Sequence, residues 1–456
     1  MDVNQSLILL PIAGCLFVSY LIFRLGLSRD GRMPVDDLGF WWLVYLNIYT
    51  TLPTFVWFIR EGVYGLFNQR LARLDPTLGD IFYLQSIAAC YAISFAIFYW
   101  PIRRKAHTPS SIPAAPISSA KMLSAGLILG ATFVIGLFVT GDPSAGYGDK
   151  FRAIASLPLE VRQILKLIGG LATVSMLVLL IAILQRWPRS RFFLFLYIIA
   201  TLISFNPFGS RGQIVIMLFS LAIGWHTLVR TISVRKWLVG GLSGLLLFIA
   251  AGIFRSFASS PGDVFLIDIQ SIGLGEFDQL WGNAIELLHA SREGLTVPFN
   301  VQYGEFLAPI PSQFLPIEKS SLANWFLDTF YPIYKAEGGG WAFGALSQAV
   351  IGGGLIEAAV RGALLGCIIG LLFRWYRTPT SPWWMFPTYL YLIVTGYNSI
   401  RDTTFTHLTV ILQTVLPSLL IIAIMGSLLS SMMGRPRKSD SVPLNLDIST
   451  QQERLK

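Results

Sequence analysis

Residues 81–100 read IFYLQSIAACYAISFAIFYW, twenty positions without a charged side chain. About 20 apolar residues in helical form span the hydrocarbon core of a bilayer, so this stretch predicts a membrane-spanning helix. The residues that follow, Pro101-Ile102-Arg103-Arg104-Lys105, end in three cations. Because Lys and Arg collect on the cytoplasmic side of membrane proteins, the cluster predicts which end of this helix faces the cytoplasm.

The whole chain has the same character as this stretch. Of its 456 residues, 54% are hydrophobic and 13% are charged, and the charged share is about half that of a soluble domain. Backbone groups in lipid must be hydrogen bonded internally, so continuous apolar runs predict helices. The net charge of +9 is explained by cytoplasmic Lys and Arg, so nucleic acid is not an expected partner.

Apolar runs predict an all-α polytopic membrane protein with about eleven spans. Six basic clusters, among them 103–105, 186–191 and 374–377, are separated by even numbers of spans, so one topology places them all in the cytoplasm. That topology puts the N-terminus outside and the C-terminus inside. The expected spans are 6–23, 39–58, 81–100, 122–140, 164–184, 191–205, 213–229, 237–254, 357–375, 384–397 and 407–429.

This topology divides the chain into four parts. Residues 1–254 form a bundle of about eight spans, residues 255–341 a large outer loop, residues 342–434 the last spans, and residues 435–456 a disordered cytoplasmic tail. The loop is expected to fold as a cap with short helices, because one helical face gathers Leu280, Trp281, Ile285, Leu287 and Leu288.

The stretch 338–354 is apolar but broken by glycines. It is either a re-entrant half-helix that feeds the next span or a loop helix packed on the bundle. Irregular backbone at membrane depth is tolerated only where it lines a cavity or is buried in protein.

The arginines on the outer face carry the most information about function. Arg211 lies in a tight turn, Arg255 opens the large loop, and Arg401 precedes the last span. Each could be an interfacial side chain or part of a local ion pair, and Arg361, four residues after Glu357, fits such a pair. As a set, outward arginines offer bidentate donors that match phosphate oxygens.

Candidate proton-transfer groups lie in the large loop. His289 is near the end of the expected cap helix, and histidine is the side chain that most readily exchanges protons near neutral pH. Glu276 and Asp278 precede that helix and are either reserve bases or caps of its N-terminus. The sequence has no Walker loop, no GxGxxG in a βαβ setting, no GxSxG elbow and no Cys/His metal spacing.

Three short segments together carry a family resemblance. They are Phe208-Gly209-Ser210-Arg211-Gly212 at a span junction, Leu315-Pro316-Ile317-Glu318-Lys319 in the outer loop, and Gly338-Gly339-Gly340-Trp341-Ala342-Phe343 before the last spans. With this topology they resemble the bacterial oligosaccharide repeat-unit polymerases (Wzy type), which make O-antigen and exopolysaccharide. The likeness covers roughly the second half of the chain, and the topology covers the rest.

The resemblance implies a GT-C-like, metal-independent, inverting glycosyltransferase of the bacterial inner membrane, with no cofactor. Its substrate would be an oligosaccharide linked to undecaprenyl pyrophosphate, held in contact with membrane lipid. Whether a chain-length regulator protein binds stays open. In this reading Arg211, Arg255 and Arg401 bind pyrophosphate, with Lys319 as a further phosphate ligand matched only by its local context. His289 is then the base, and Glu276 and Asp278 are held in reserve.

Three alternatives remain at this point. A ligase that moves finished glycan from the lipid carrier to another acceptor would share the topology and the arginines. A transporter or flippase of lipid-linked oligosaccharide would be expected to show internal repeats and polar groups near the bilayer midplane. A non-catalytic assembly scaffold is the third.

Overall fold

The computed structural model describes residues 3–26, 35–60, 74–105, 115–140, 157–205, 211–244, 276–310, 321–336 and 342–432. These residues form helices and turns, with no strand among them. The first half contains α1 (Val3–Gly26), α2 (Leu38–Arg60), α3 (Leu78–Arg104), α4 (Ser119–Thr140), α5 (Leu159–Leu184), α6 (Arg191–Phe205), α7 (Arg211–Leu228) and α8 (234–244). The second half contains α9 (Glu276–Arg292), α10 (Phe299–Gln302), α11 (Gly304–Leu307), α12 (Leu322–Phe330), α13 (Pro332–Ala336), α14 (Ala345–Gly352), α15 (Leu355–Tyr376), α16 (Met385–Thr395), α17 (Asn398–Arg401) and α18 (Thr406–Met432).

The all-helical prediction is confirmed over the described residues, and the count of eleven spans stays a prediction. Five helical stretches there are long and apolar enough to cross a membrane, which fits an α-helical membrane protein. They are Leu7–Gly26, Leu78–Arg104, Leu167–Leu184, Leu355–Tyr376 and Thr406–Met432. The expected span 384–397 is shorter than predicted, because α16 ends at Thr395 after about 16 Å, roughly half the thickness of the hydrocarbon core.

A stripe of glycines lets α15 pack directly on the backbone of α3. A Cβ atom on Gly362 would lie 2.5 Å from the carbonyl oxygen of Tyr91, and one on Gly370 would lie 3.0 Å from the Cβ of Ile102. A Cβ on Gly366, between them, would collide with the carbonyl oxygen of Phe95. Small residues at this spacing are typical of closely packed membrane helices. Residue numbers increase in the same direction along both helices, since Gly362 faces Tyr91 and Gly366 faces Phe95. The two helices therefore run parallel.

Ion pairs tie several helix ends together where α3 finishes; we call this the basic end of the bundle. Asp37, just before α2, accepts hydrogen bonds from Arg103 Nε (2.6 Å) and from the Tyr99 hydroxyl. Asp36 pairs with Arg377 at the end of α15. The topology predicted from Lys and Arg likewise puts these helix ends on one side, and the contacts agree with that grouping.

The opposite end, where α3 begins, is covered by α9 to α13; we call it the cap end. The predicted apolar face of α9 is confirmed, because all of its members are buried: Leu280, Trp281, Ile285, Leu287 and Leu288. The Tyr331 hydroxyl, between α12 and α13, donates to the carboxylate of Glu286 in α9 at 2.9 Å. The described residues 276–310 and 321–336 therefore pack on each other as a cap.

Helix α14 is the glycine-broken segment that had two interpretations. It is eight residues long, its residues 345–350 are buried, and it ends at Gly353 and Gly354, whose φ angles of 128° and 64° favour glycine. A Cβ on Gly354 would meet the Tyr83 hydroxyl, so α14 lies beside the first turns of α3. Burial in protein is expected both for a re-entrant half-helix and for a loop helix packed on the bundle, so the two interpretations stay open.

The glycine stripe gives a first prediction. Replacing Gly366 by Ala puts a methyl group into the Phe95 carbonyl, and overpacking of this kind costs about 1–3 kcal/mol. The matched control is Gly130→Ala in α4, where a Cβ meets nothing within 4 Å and helix propensity favours Ala by about 0.5–1 kcal/mol. Thermal unfolding of both purified variants in detergent, followed by tryptophan fluorescence, should show a lowered midpoint for Gly366→Ala alone. Equal midpoints would contradict the close packing.

Candidate functional site

Three of the seven residues predicted to act in the site lie in helices at the cap end, and Arg401 lies next to it. His289 is in the last turn of α9, and Glu276 and Asp278 are in its first turn. Arg401 ends α17. Arg211 is the first residue of α7, but its side chain lies outside what the structure describes. Arg255 and Lys319 both fall outside the described residues.

The placement of Glu276 and Asp278 corrects the prediction that they precede the cap helix. The helix begins at Glu276, so both residues belong to its first turn, where negative charge stabilises the helix dipole. At a rise of about 1.5 Å per residue, they stand roughly 20 and 16 Å from His289 along the axis. Because of this separation, either of them would have to act at a different point from His289.

His289 is held by a buried carboxylate that the sequence prediction did not include. Its Nε2 lies 3.1 Å from Oδ2 of Asp80, the third residue of α3. Arg292, one turn further along α9, places Nη1 2.5 Å from Oδ1 of the same carboxylate. The Asp80 side chain is fully buried, whereas His289 is 31% exposed. The cap helix is thus joined to the start of a candidate span by two charged contacts.

The orientation of Asp80 is set by the beginning of α3. Thr77 caps the helix: its backbone N–H donates to Asp80 Oδ2 at 2.9 Å, and Asp80 N–H donates to the Thr77 hydroxyl at 3.2 Å. This reciprocal pattern is a capping box, with Asp80 in the position usually held by Glu or Gln. The sequence contains the signal, since Thr77-x-x-Asp80 stands directly before the apolar run, but nothing in it shows that His289 completes the cluster.

Arg401 lies on an element that is linked to α9 through residues 342–344. Asp402 accepts from Arg401 Nη1 at 3.2 Å through its side chain, and from the Gly344 N–H at 3.0 Å through its carbonyl. Two residues earlier, the Ala342 carbonyl accepts from Asn283 of α9 at 2.8 Å. Arg401 therefore takes part in a local ion pair, as the alternative interpretation anticipated, while about a third of its side chain stays exposed.

The second charged cluster is buried and centres on Arg361 in α15. Its Nε lies 2.5 Å from Glu357 Oε1, so the predicted pair four residues apart is confirmed. Its Nη1 pairs with Glu305 of the cap helix α11. Arg361 is 2% exposed and Glu305 is 8% exposed. A cap residue and a span residue thus share one buried ion pair, which sequence spacing could not reveal because the partners come from separate segments.

Hydrogen bonds extend this cluster into the surrounding helices. Glu305 accepts from Gln348 Nε2 of α14 at 2.9 Å and from the Phe405 N–H at 3.0 Å. Gln348 Oε1 in turn accepts from Thr404 N–H at 3.2 Å, and the Thr404 hydroxyl lies 2.6 Å from that of Tyr91 in α3. The network therefore links the cap, α14, the last span and α3.

The charges of the Arg361 cluster do not balance. Two carboxylates meet one guanidinium, and within the described residues no second cation contacts either carboxylate. The Tyr303 hydroxyl donates to Glu357 at 3.4 Å, and burial together with the charge of Glu357 raises the pKa of Tyr303 above its usual range. Arg361 Nη2 is buried, and none of the described residues accepts a hydrogen bond from it. Such a group costs free energy unless water or a ligand satisfies it.

A narrow apolar cavity adjoins this network. Leu38, Trp42, Leu365 and Leu408 line it, and Thr404 and Phe405 separate it from the Arg361 cluster. Its volume of about 40 Å³ leaves room for only a few atoms.

Comparisons of the chain with protein-family models, with curated proteins and with solved structures find no match. What the described residues define is a class: an all-helical protein with helices long and apolar enough to span a membrane, carrying two charged clusters beneath a folded cap.

The Arg361 cluster gives the second prediction. Arg361→Met leaves buried Glu305 and partly buried Glu357 without their cation, and removing one partner of a buried pair costs about 3–5 kcal/mol. Lys335→Met is the control: its pair with Asp328 is substantially exposed on both sides, and such pairs contribute about 0–1 kcal/mol. Thermal unfolding should separate the variants clearly. If Arg361→Met and Lys335→Met lose the same small amount of stability, the cluster is not the internal tie described above.

Proposed function

We propose that this protein polymerises oligosaccharide repeat units carried on undecaprenyl pyrophosphate, at the periplasmic face of the bacterial inner membrane. The growing chain moves from its lipid carrier to a hydroxyl of the next lipid-linked unit by inverting transfer without a metal. In this proposal the chain spans the membrane about eleven times, with the N-terminus outside and the C-terminus inside. The basic end then faces the cytoplasm and the cap end faces the periplasm.

The observation that carries the proposal is the partly exposed His289 held by buried Asp80 at the cap end. Glycosyl transfer to a sugar hydroxyl needs a base that takes the hydroxyl proton, and histidine suits that task near neutral pH. The donor already contains an activated glycosyl pyrophosphate, so a nucleotide site is not required. An imidazole on the cap, held against the start of a candidate span, would supply that base.

Arginines at the cap end support the proposal because they can stabilise the leaving group. Negative charge grows on pyrophosphate as the glycosidic bond breaks, and preorganised guanidinium groups stabilise it. Arg401 is partly exposed next to the cap. Trp237 donates to His226 at the end of α7, and its ring lies 6.0 Å from that of Trp41 in the first turn of α2. The end of α7 is therefore at the basic end, and Arg211 at the start of α7 lies toward the opposite end. Arg255 and Lys319 remain candidates from the sequence alone.

The third prediction tests these arginines. Arg211→Ala and Arg401→Ala should each shorten or abolish the polymer ladder in cells at matched protein levels, because each removes a donor to pyrophosphate. The control is Arg189→Ala, an exposed arginine at the basic end, which should leave the ladder unchanged. Normal ladders in both cap-end variants would rule out the phosphate role.

A second candidate function is the transport of lipid-linked oligosaccharide. The Arg361 cluster favours it, since ionisable groups buried in a candidate span are costly and often mark a substrate or ion pathway. In this reading Glu305 and Glu357 would act on a passing ligand or proton, and His289 would be structural.

The fourth prediction decides between the candidates. Purified protein in detergent, given lipid-linked repeat units alone, should form chains of increasing length, whereas a transporter forms none and a ligase needs a separate acceptor. Chain growth without any gradient or second protein is the expected result. A chemically unchanged substrate that crosses the bilayer in reconstituted vesicles would instead establish the transport function.

A further inference from the structure

We infer that Asp80 is the positioning residue of the catalytic base: it holds His289 in the tautomer that carries hydrogen on Nε2, so that Nδ1 accepts the proton of the sugar hydroxyl. The inference rests on the proposed function and adds two points to it. It names the reacting atom of the imidazole, and it assigns a role to a residue from a span that precedes the cap by almost two hundred positions.

The tautomer follows from the contacts of the Asp80 carboxylate. Its Oδ2 accepts from both the N–H and the hydroxyl of Thr77, and its Oδ1 faces Arg292 at 2.5 Å. A carboxylate surrounded by donors is in its ionised, acceptor-only form. The remaining partner at Oδ2 is His289 Nε2 at 3.1 Å, and it too must donate. In a neutral imidazole the lone pair then sits on Nδ1.

Burial makes this arrangement rigid. Asp80 is fully buried, and Thr77 and Arg292 hold both of its oxygens. The imidazole can therefore rotate only by giving up a charged hydrogen bond, which is about twice as strong as a neutral one. His289 keeps 31% of its side chain exposed, and no described residue hydrogen bonds its Nδ1. Within the described residues, Nδ1 therefore has no competing hydrogen bond.

The step balances in protons and bonds. Nδ1 takes the hydroxyl proton as the acceptor oxygen forms its bond to the anomeric carbon of the donor. The bond from that carbon to the pyrophosphate oxygen breaks, and its electron pair leaves with undecaprenyl pyrophosphate. The imidazolium formed on His289 is stabilised by the Asp80 carboxylate, as in hydrolases that pair a histidine with a buried aspartate, and then releases its proton to water.

A purely structural role for the cluster is the competing explanation. The same contacts could serve only to dock α9 on α3, in which case any loss of activity in a variant would follow its loss of stability. Two experiments test the inference: the first observes the tautomer without an activity assay, and the second separates the two explanations.

The first experiment observes the tautomer. The full-length protein, labelled with ¹⁵N-histidine and solubilised in detergent, should show neutral His289 with a protonated Nε2 and a bare Nδ1. His289→Gln identifies the signal among the four histidines. A His289 signal with hydrogen on Nδ1 would overturn the inference, whatever the protein turns out to do.

The second experiment measures the chemistry. In the purified polymerisation assay, Asp80→Asn should lower kcat at least about 10-fold and change KM less than about 2-fold, because a misoriented base affects the transition state more than binding. Asp328→Asn, an exposed cap carboxylate, should behave as wild type. If Asp80→Asn does not fold, Asp80→Glu is measured in its place. It keeps a carboxylate and should retain part of the wild-type activity.

The outcomes separate the inference from the proposed function. If the wild-type protein makes polymer, His289→Gln does not and Asp80→Asn keeps its kcat, the function stands and the role of Asp80 is wrong. If the wild-type protein makes no polymer, the proposed function fails, and the role of Asp80 in catalysis fails with it. A loss of activity in Asp80→Asn that matches its loss of folded protein would support the structural explanation.

Discussion

The arrangement of this protein depends on the direct contact between α3 and α15, where glycines on one helix meet backbone carbonyls of the other. The glycines bring the two axes close together, so each helix fixes the position of its partner along the axis. Helix α3 carries Asp80 at one end and Arg103 at the other, and α15 carries Arg361 and is followed by Arg377. Sliding one helix along the other would break the charged contacts at both ends together.

Much of the helical framework could be predicted from apolar runs, because lipid demands internally bonded backbone and leaves few other solutions. The apolar face of α9 was predictable for the same kind of reason, since its five members repeat at helical spacing. Helix lengths were less predictable. Helix α16 ends at Thr395, although the apolar run in the sequence continues beyond it. Tyr397 and Ile400 extend the apolar run, but Gly396 and the short helix α17 break it.

The candidate site was predictable in its residue types and much less in its partners. His289 and Arg401 stand out in the sequence because of their chemistry and expected side of the membrane. Asp80 and Glu305 do not, because each looks like an ordinary acid beside an apolar segment until the fold brings a cation to it. Pairwise contacts between residues hundreds of positions apart depend on how helices are arranged in three dimensions, and a single sequence carries no measure of that arrangement.

The ion pair between Glu305 and Arg361 also bears on modularity. The outer loop looks in the sequence like a separable insert between two spans, of the kind often moved between proteins or produced alone. Its α11 nevertheless places a charge against a cation that belongs to the membrane bundle. Cut away, the loop would keep an acid without its counterion, and the bundle would keep a buried guanidinium with one carboxylate fewer. The cap and the bundle therefore depend on each other structurally. A chimaera between relatives would have to exchange Glu305 and Arg361 together.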